Sequence, residues 1–297
     1  MKKPIQFICA VFVLVLSSCN VGVKKDLGTG LEIKNVDLSI GEAFLSVDGK
    51  KLTASSVAYG SEVVATFTGL DGFTLKNGMA FLDASISVKD KAGKVVGDFK
   101  DLFKAYDSTG IKQSEVKEQI TLSLTCLSPL KVGQEYVCEF QIKDKNGKGV
   151  VTATNTLKMQ ELVGTEYKEN GLTVDGIYYT LNDNESALEE NSITLGDMLK
   201  VHYSGLSGLK EENGMVWIDA GIKFTDEAGT IILEKKDLFA DYDSTGIPAK
   251  DVKNSVYLDI KADNEIVATG KQYKGYFYLK DKKGTAEVNN SFNFKVK

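Results

Sequence analysis

A shift of 136 residues lays this chain over itself. Gly60 to Ile111 aligns with Gly196 to Ile247 without a gap, and 23 of the 52 positions are identical. The densest match is Asp101-Leu102-Phe103-x-x-Tyr106-Asp107-Ser108-Thr109-Gly110-Ile111. It recurs as Asp237-Leu238-Phe239-x-x-Tyr242-Asp243-Ser244-Thr245-Gly246-Ile247. Two copies are too few for a solenoid, so each must bury a core of its own. A chain of 297 residues agrees with about two domains. The spacing places them at 28–160 and 165–297, joined through Glu161 to Gly171.

Each copy reads as β. Ala80, Leu82, Ala84, Ile86 and Val88 alternate with polar or outward residues; Val216, Ile218, Ala220, Ile222 and Phe224 do the same. A period of two marks a strand with one buried face. Ile120 to Cys126 and Tyr136 to Ile142 give further strands, and Lys91-Ala92-Gly93, Lys145-Asn146-Gly147 and Lys282-Lys283-Gly284 give turns. About seven strands per copy without a long helical pattern predict an all-β chain of two tandem antiparallel, immunoglobulin-like β-sandwiches. Lys112 to Lys117 fits one helical turn.

The first residues carry an address. Lys2 and Lys3 precede an apolar run, Ile5 to Leu16, broken only by Gln6. It is too short to span a bilayer and fits the core of a signal peptide. Leu16-Ser17-Ser18-Cys19 follows. This order resembles the bacterial lipobox, and the resemblance implies cleavage of residues 1–18 and acylation of Cys19 with palmitate-type chains. Residues 19–27 then form a tether. Each buried CH₂ contributes about 0.8 kcal/mol, so several chains anchor a domain firmly. Asn20 in place of Asp implies, on that resemblance, the outer membrane. The acidic cluster that sends some Bacteroidota-type lipoproteins to the cell surface is missing from Asn20 to Asp26, which favours the periplasmic face over the surface.

Removing residues 1–18 removes two of the 36 basic residues, leaving 34 against 41 acids. An acidic body argues against nucleic acid as a partner. Every basic residue is Lys, so bidentate Arg recognition of anions is ruled out. A single His, His202, excludes multi-His metal sites, and no nucleophile elbow, P-loop, dinucleotide fingerprint or zinc motif is present. No catalytic residue is assigned, and a non-enzymatic role is expected.

Several residues remain as candidates. Cys126 and Cys138 lie on the inward parity of neighbouring strands joined by Leu127 to Val137, and an antiparallel hairpin of that register sets them opposite each other. In an exported protein they are expected to form a disulfide, worth about 3 kcal/mol; two buried free thiols are the alternative. The aligned residues in copy two are Ala262 and Gly275. Asp83, Asp90, Asp101 and Asp107, with Asp219, Asp226, Asp237 and Asp243, offer carboxylates for Ca²⁺ if they converge; otherwise they cap turns. Asp107-Ser108-Thr109 and Asp243-Ser244-Thr245 resemble the O-glycosylation acceptor of Bacteroidota-type secreted proteins, which implies Ser108 and Ser244 as acceptors. The rival is an Asx-type turn. Trp217, with the tyrosines of copy two, is a candidate for stacking on sugar, or else for packing within a sheet.

Together these features predict a membrane-anchored envelope lipoprotein with a non-enzymatic binding or scaffolding role. They resemble Bacteroidota-type lipoproteins with repeated sandwich domains. Its expected partners are the membrane, through the lipid anchor, and an envelope protein or glycan. The rivals are a carbohydrate-binding lipoprotein of a glycan-uptake system and a calcium-stabilised adhesion module.

Overall fold

The structure, a computed structural model, describes residues 21–184 and 186–297. Leu16 to Cys19, the segment that resembles a lipobox, lies outside the described residues. No described helix is long and apolar enough to cross a membrane.

The first half contains β1 (Val21–Lys25), β2 (Glu32–Val36), β3 (Glu42–Val47), β4 (Lys50–Lys51), β5 (Ser56–Ala58), β6 (Glu62–Thr68) and β7 (Met79–Ala80). It continues with β8 (Leu82–Lys89), β9 (Val95–Phe99), β10 (Ile111–Lys112), β11 (Ile120–Thr125), β12 (Glu135–Asp144) and β13 (Val150–Gln160). One sheet has the order β1-β2-β13-β12-β8-β9, with β5 beside β13; the other has the order β11-β6-β3-β4. The second half contains β14 (Thr165–Asn170), β15 (Gly176–Leu181), β16 (Ser192–Ile193), β17 (Met198–Ser204), β18 (Met215–Val216) and β19 (Ile218–Thr225). It ends with β20 (Ile231–Lys235), β21 (Ile247–Pro248), β22 (Ser255–Lys261), β23 (Gln272–Asp281) and β24 (Glu287–Val296). Its sheets run β14-β24-β23-β19-β20, with β16 beside β24, and β15-β17-β22. The chain is therefore all-β and built as two antiparallel sandwiches. Each has one short helix, α1 (Gln113–Glu118) or α2 (Ala249–Asn254).

The period-two pattern is realised directly. Along β8, Leu82, Ala84, Ile86 and Val88 are buried and the residues between them are half-covered. Phe67, Ile86, Phe140 and Leu157 belong to one buried cluster. Tyr179, Tyr203, Phe224 and Phe292 belong to another.

The cysteines correct one expectation. β11 and β12 lie in different sheets, so the two residues are not neighbours in one hairpin. Cys138 stands opposite Val88 and Asn155 within its sheet. Both are free, fully buried thiols rather than a disulfide. Both cysteines do point inward, but two facing sheets share the same inward parity, so parity alone does not tell a sheet neighbour from a residue across the core. Burial raises both thiols, Cys138 to about 12. For Cys126, burial is the main cause, and Cys138 adds to it. In copy two, Gly275 leaves room for aromatic rings: a Cβ there would lie 2.9 Å from Phe277 and 3.2 Å from Phe224.

The second core also carries a polar network. Tyr203 Oη donates to Asn290 Oδ1 at 2.5 Å, and Asn290 Nδ2 donates to Tyr179 Oη at 3.1 Å. All three residues are buried, so each hydrogen bond satisfies groups that water cannot reach.

Candidate functional site

The loop that repeats most closely is where the candidate residues gather. In copy one it leaves β9, makes a 3₁₀ turn at Lys104–Tyr106 and enters β10; in copy two it leaves β20, turns at Ala240–Tyr242 and enters β21. Asp101 and Asp237 both adopt φ 53°, a left-handed conformation that Asp tolerates better than most residues. The next amides tie the loop to the sheet: Leu102 N donates to Ala84 O, and Leu238 N to Ala220 O. Gly110 and Gly246 close it at φ 67° and 70°. A side chain at Gly246 would meet Trp217 at 3.0 Å, so the glycine permits both the backbone turn and the close approach.

A lysine from the neighbouring hairpin pins each loop. Lys145 Nζ pairs with Asp107. Lys282 Nζ pairs with Asp243 and, at 2.5 Å, with Asp237. The hydrogen bond that Lys145 donates to Asp107 raises its pKa. At Lys282 burial opposes the charge, but the bonds to Asp237 and Asp243 outweigh it and raise the pKa. The hairpins are themselves held by buried aspartates. Asp144 accepts from Thr74 N at 2.7 Å and from Asn146 N at 2.9 Å; Asp281 accepts from Lys210 N and Lys283 N, both at 2.9 Å. By its sequence Asp144-Lys145-Asn146-Gly147 is only a turn. Its recurrence as Asp281-Lys282-Lys283-Gly284, at an offset of 137 rather than 136, is the signal that was available.

This arrangement corrects the calcium expectation. Among the described residues no three His, Cys, Asp or Glu side chains are placed to hold a metal ion. Asp107, Asp237 and Asp243 are answered by ammonium groups. Asp101 supplies a left-handed backbone turn. Asp90 and Asp226 cap turns: Asp90 Oδ1 accepts from Ala92 N and Lys94 N, and Asp226 Oδ1 from Ala228 N and Thr230 N. Asp83 and Asp219, on their strands, stand opposite Lys143 and Lys280, and Asp219 also accepts from Tyr278 Oη at 3.3 Å. Cross-strand opposite charge accounts for an aspartate within a strand.

The sugar-stacking expectation is corrected as well. Trp217 is half-buried, its Nε1 donates to Asp243 O at 3.1 Å, and the Lys283 ammonium lies 4.6 Å from the ring centroid. The tyrosines of copy two do not join it in one platform. Tyr179 and Tyr273 are buried. Tyr276 is exposed, with the Lys223 and Lys274 ammonium groups 4.5 and 5.3 Å from its ring centroid, and Tyr278 has Lys280 at 5.0 Å.

His202 projects to the outer side of β17, where Tyr178 stacks on it at 4.4 Å and 10° and Thr180 Oγ1 lies 2.9 Å from Nε2. Burial, helped by Lys200, lowers its pKa to about 4. Tyr257 lies on its other side at 5.7 Å, so the imidazole sits among aromatic rings.

What remains unexplained by packing is the apolar rim of the loops. Leu102 is 43% exposed and Leu238 38%; Tyr106 and Tyr242 are each 48% exposed. Phe103 lies 6.0 Å from Tyr106 at 47°, and Phe239 lies 6.4 Å from Tyr242 at 49°. Ser108 and Ser244 sit on the same loops, exposed. The two copies thus present the same knob with the same geometry.

No protein-family model matches the chain, and no curated protein matches it. Solved structures do. The C-terminal domain of Wzt aligns with TM-score 0.32 and 11% identity, over 48% of this chain and 79% of that one. Fibronectin(III)-like modules of Clostridium thermocellum CbhA align with TM-score 0.20 and 9% identity, over 85% and 94%. A DUF3823 family protein from Bacteroides ovatus aligns with TM-score 0.23 and 12% identity, over 76% and 93%. At such identities the likeness is one of fold alone.

Proposed function

We propose that this chain is a non-enzymatic, lipid-anchored envelope protein whose twin loops bind a partner in the envelope. The observation that carries the reading is the retention of exposed Leu102/Leu238 and Tyr106/Tyr242 in both copies; Phe103 and Phe239 beside them pack partly against the cores. Some buried positions have changed between the copies while others are kept: Phe224 replaces Val88 and Gly275 replaces Cys138, whereas Leu70, Ala84 and Ile86 recur as Leu206, Ala220 and Ile222. Exposed apolar side chains cost nothing to change unless something covers them. Two equal knobs on one chain also allow two-point engagement, which raises avidity without new contacts.

The lipobox supplies the address. Cys19 carries acyl chains, the protein stands on the periplasmic face of the outer membrane, and Ser108 and Ser244 are accessible acceptors for O-linked glycan on the binding loops. Photocross-linking in whole cells tests the binding role. A benzophenone side chain at Tyr106 or Tyr242 gives a discrete adduct, whereas one at exposed Thr156 does not. Equal adduct patterns at all three positions overturn the reading. Incorporation of an alkynyl palmitate, abolished by Cys19→Ala, tests the anchor separately.

A further inference from the structure

Beside the copy-two loop runs a groove of about 370 Å³, lined by Leu238 and Phe239 on one side and by β22 on the other. Ser255, Val256, Tyr257, Leu258 and Asp259 line it consecutively. Residues of both parities reach it, so the groove follows the edge of the strand rather than one of its faces. Among the described residues β22 ends its sheet, with β17 as its one sheet neighbour. Its free edge therefore offers unpaired backbone donors and acceptors to any extended chain laid alongside.

The groove's only charged lining groups are Asp251 and Asp259. Neither makes an ion pair among the described residues. Tyr257 is 53% exposed above them. Copy one has diverged at these positions. Thr121 and Ser123 stand where copy two has Tyr257 and Asp259. Glu115, the counterpart of Asp251, lies 3.7 Å from Lys112, and Pro248 replaces that lysine in copy two. The shared loop has thus been joined, in copy two alone, by an aromatic ring and two carboxylates along an open strand edge; Asp259 stands opposite Lys200, whose ammonium pairs with Asp183 instead.

We infer that this groove binds an extended peptide segment of alternating apolar and basic residues, added as a further strand to β22. The inference deepens the proposed binding role and rests on it. Apolar side chains of the segment enter between Leu238, Phe239, Val256 and Leu258. The basic ones meet Asp251 and Asp259. About six residues at ~3.3 Å each cover the strand.

The test is fluorescence anisotropy of a labelled eight-residue Val-Lys alternating peptide with the full chain in detergent. Saturable binding is expected, weakened about tenfold by the Asp251→Asn/Asp259→Asn pair. The same peptide N-methylated at alternate amides keeps its charge and loses its binding. Overturning results are no saturation, undiminished binding of the N-methylated peptide, equal binding of a Val-Glu peptide, or no effect of the Asn pair. The peptide titration reads the groove and the cross-link at Tyr106 reads the copy-one loop: a failed titration with the Tyr106 adduct intact overturns the groove alone, whereas loss of the adducts at both Tyr106 and Tyr242 overturns the loop reading.

Discussion

Replacing Asn290 with Ala strands two hydroxyl groups at once. Asn290 accepts from Tyr203 and donates to Tyr179, and Tyr203 and Tyr179 are 0% and 1% exposed. No water reaches them. The Tyr203 hydroxyl loses its acceptor, and an unsatisfied buried polar group costs about 1–3 kcal/mol. Tyr179 loses a donor but keeps its own proton free to turn, so its share is smaller, and a small cavity adds to the total. The expected loss is about 3 kcal/mol of second-sandwich stability. Tyr203→Phe in the native background leaves Asn290 Oδ1 unpaired and destabilises by about 1–2 kcal/mol. In the Asn290→Ala background the same change removes the stranded hydroxyl and is neutral or stabilising. Copy one shows that such a core packs: Phe67 and Ala153 stand at the matching positions of its strands. Urea unfolding followed by fluorescence reports this sandwich selectively, because Trp217, the only Trp, belongs to it. A loss below about 0.5 kcal/mol for Asn290→Ala, or the same sign for Tyr203→Phe in both backgrounds, refutes the argument.

Three further outcomes are expected. The folded-state pKa of His202, about 4, lies below its ordinary value of 6.5, so the unfolded chain takes up the proton first; the stabilisation is full above about 6.5 and is lost as pH falls toward 4, by roughly 2 kcal/mol after discounting for partial exposure. His202→Thr, the copy-one residue, abolishes that pH dependence of the Trp217 unfolding midpoint. Cys126 and Cys138, raised by burial, resist a disulfide colorimetric reagent in the native protein and both react after denaturation without reductant; a missing signal after denaturation contradicts free thiols. Calcium or EDTA leaves the melting temperature unchanged, whereas Lys282→Ala, which leaves Asp237 and Asp243 unanswered, lowers it by an amount worth about 1 kcal/mol.

The sequence by itself determined the fold class. Alternation along Leu82 to Val88 and Ile218 to Phe224 leaves one apolar face per strand, and a face of that kind has to meet another sheet. The duplication implied that this solution is used twice. Inward parity of Cys126, Cys138 and Ile120 was legible for the same reason, as each depends only on the two-residue period of the backbone. Which sheet each strand joins was not legible, because facing sheets share one parity. That is why the cysteines were read as hairpin neighbours. The aspartates were visible as a repeated set, but their partners were not: Lys145 and Lys282 reach them from a hairpin far along the chain, and a single inserted residue shifts that hairpin out of the repeat's register. Local periodicity is a property of the chain and can be read along it. The matching of charges, the covering of Trp217 and the open edge of β22 arise only when distant segments meet, so the tertiary structure alone decided them.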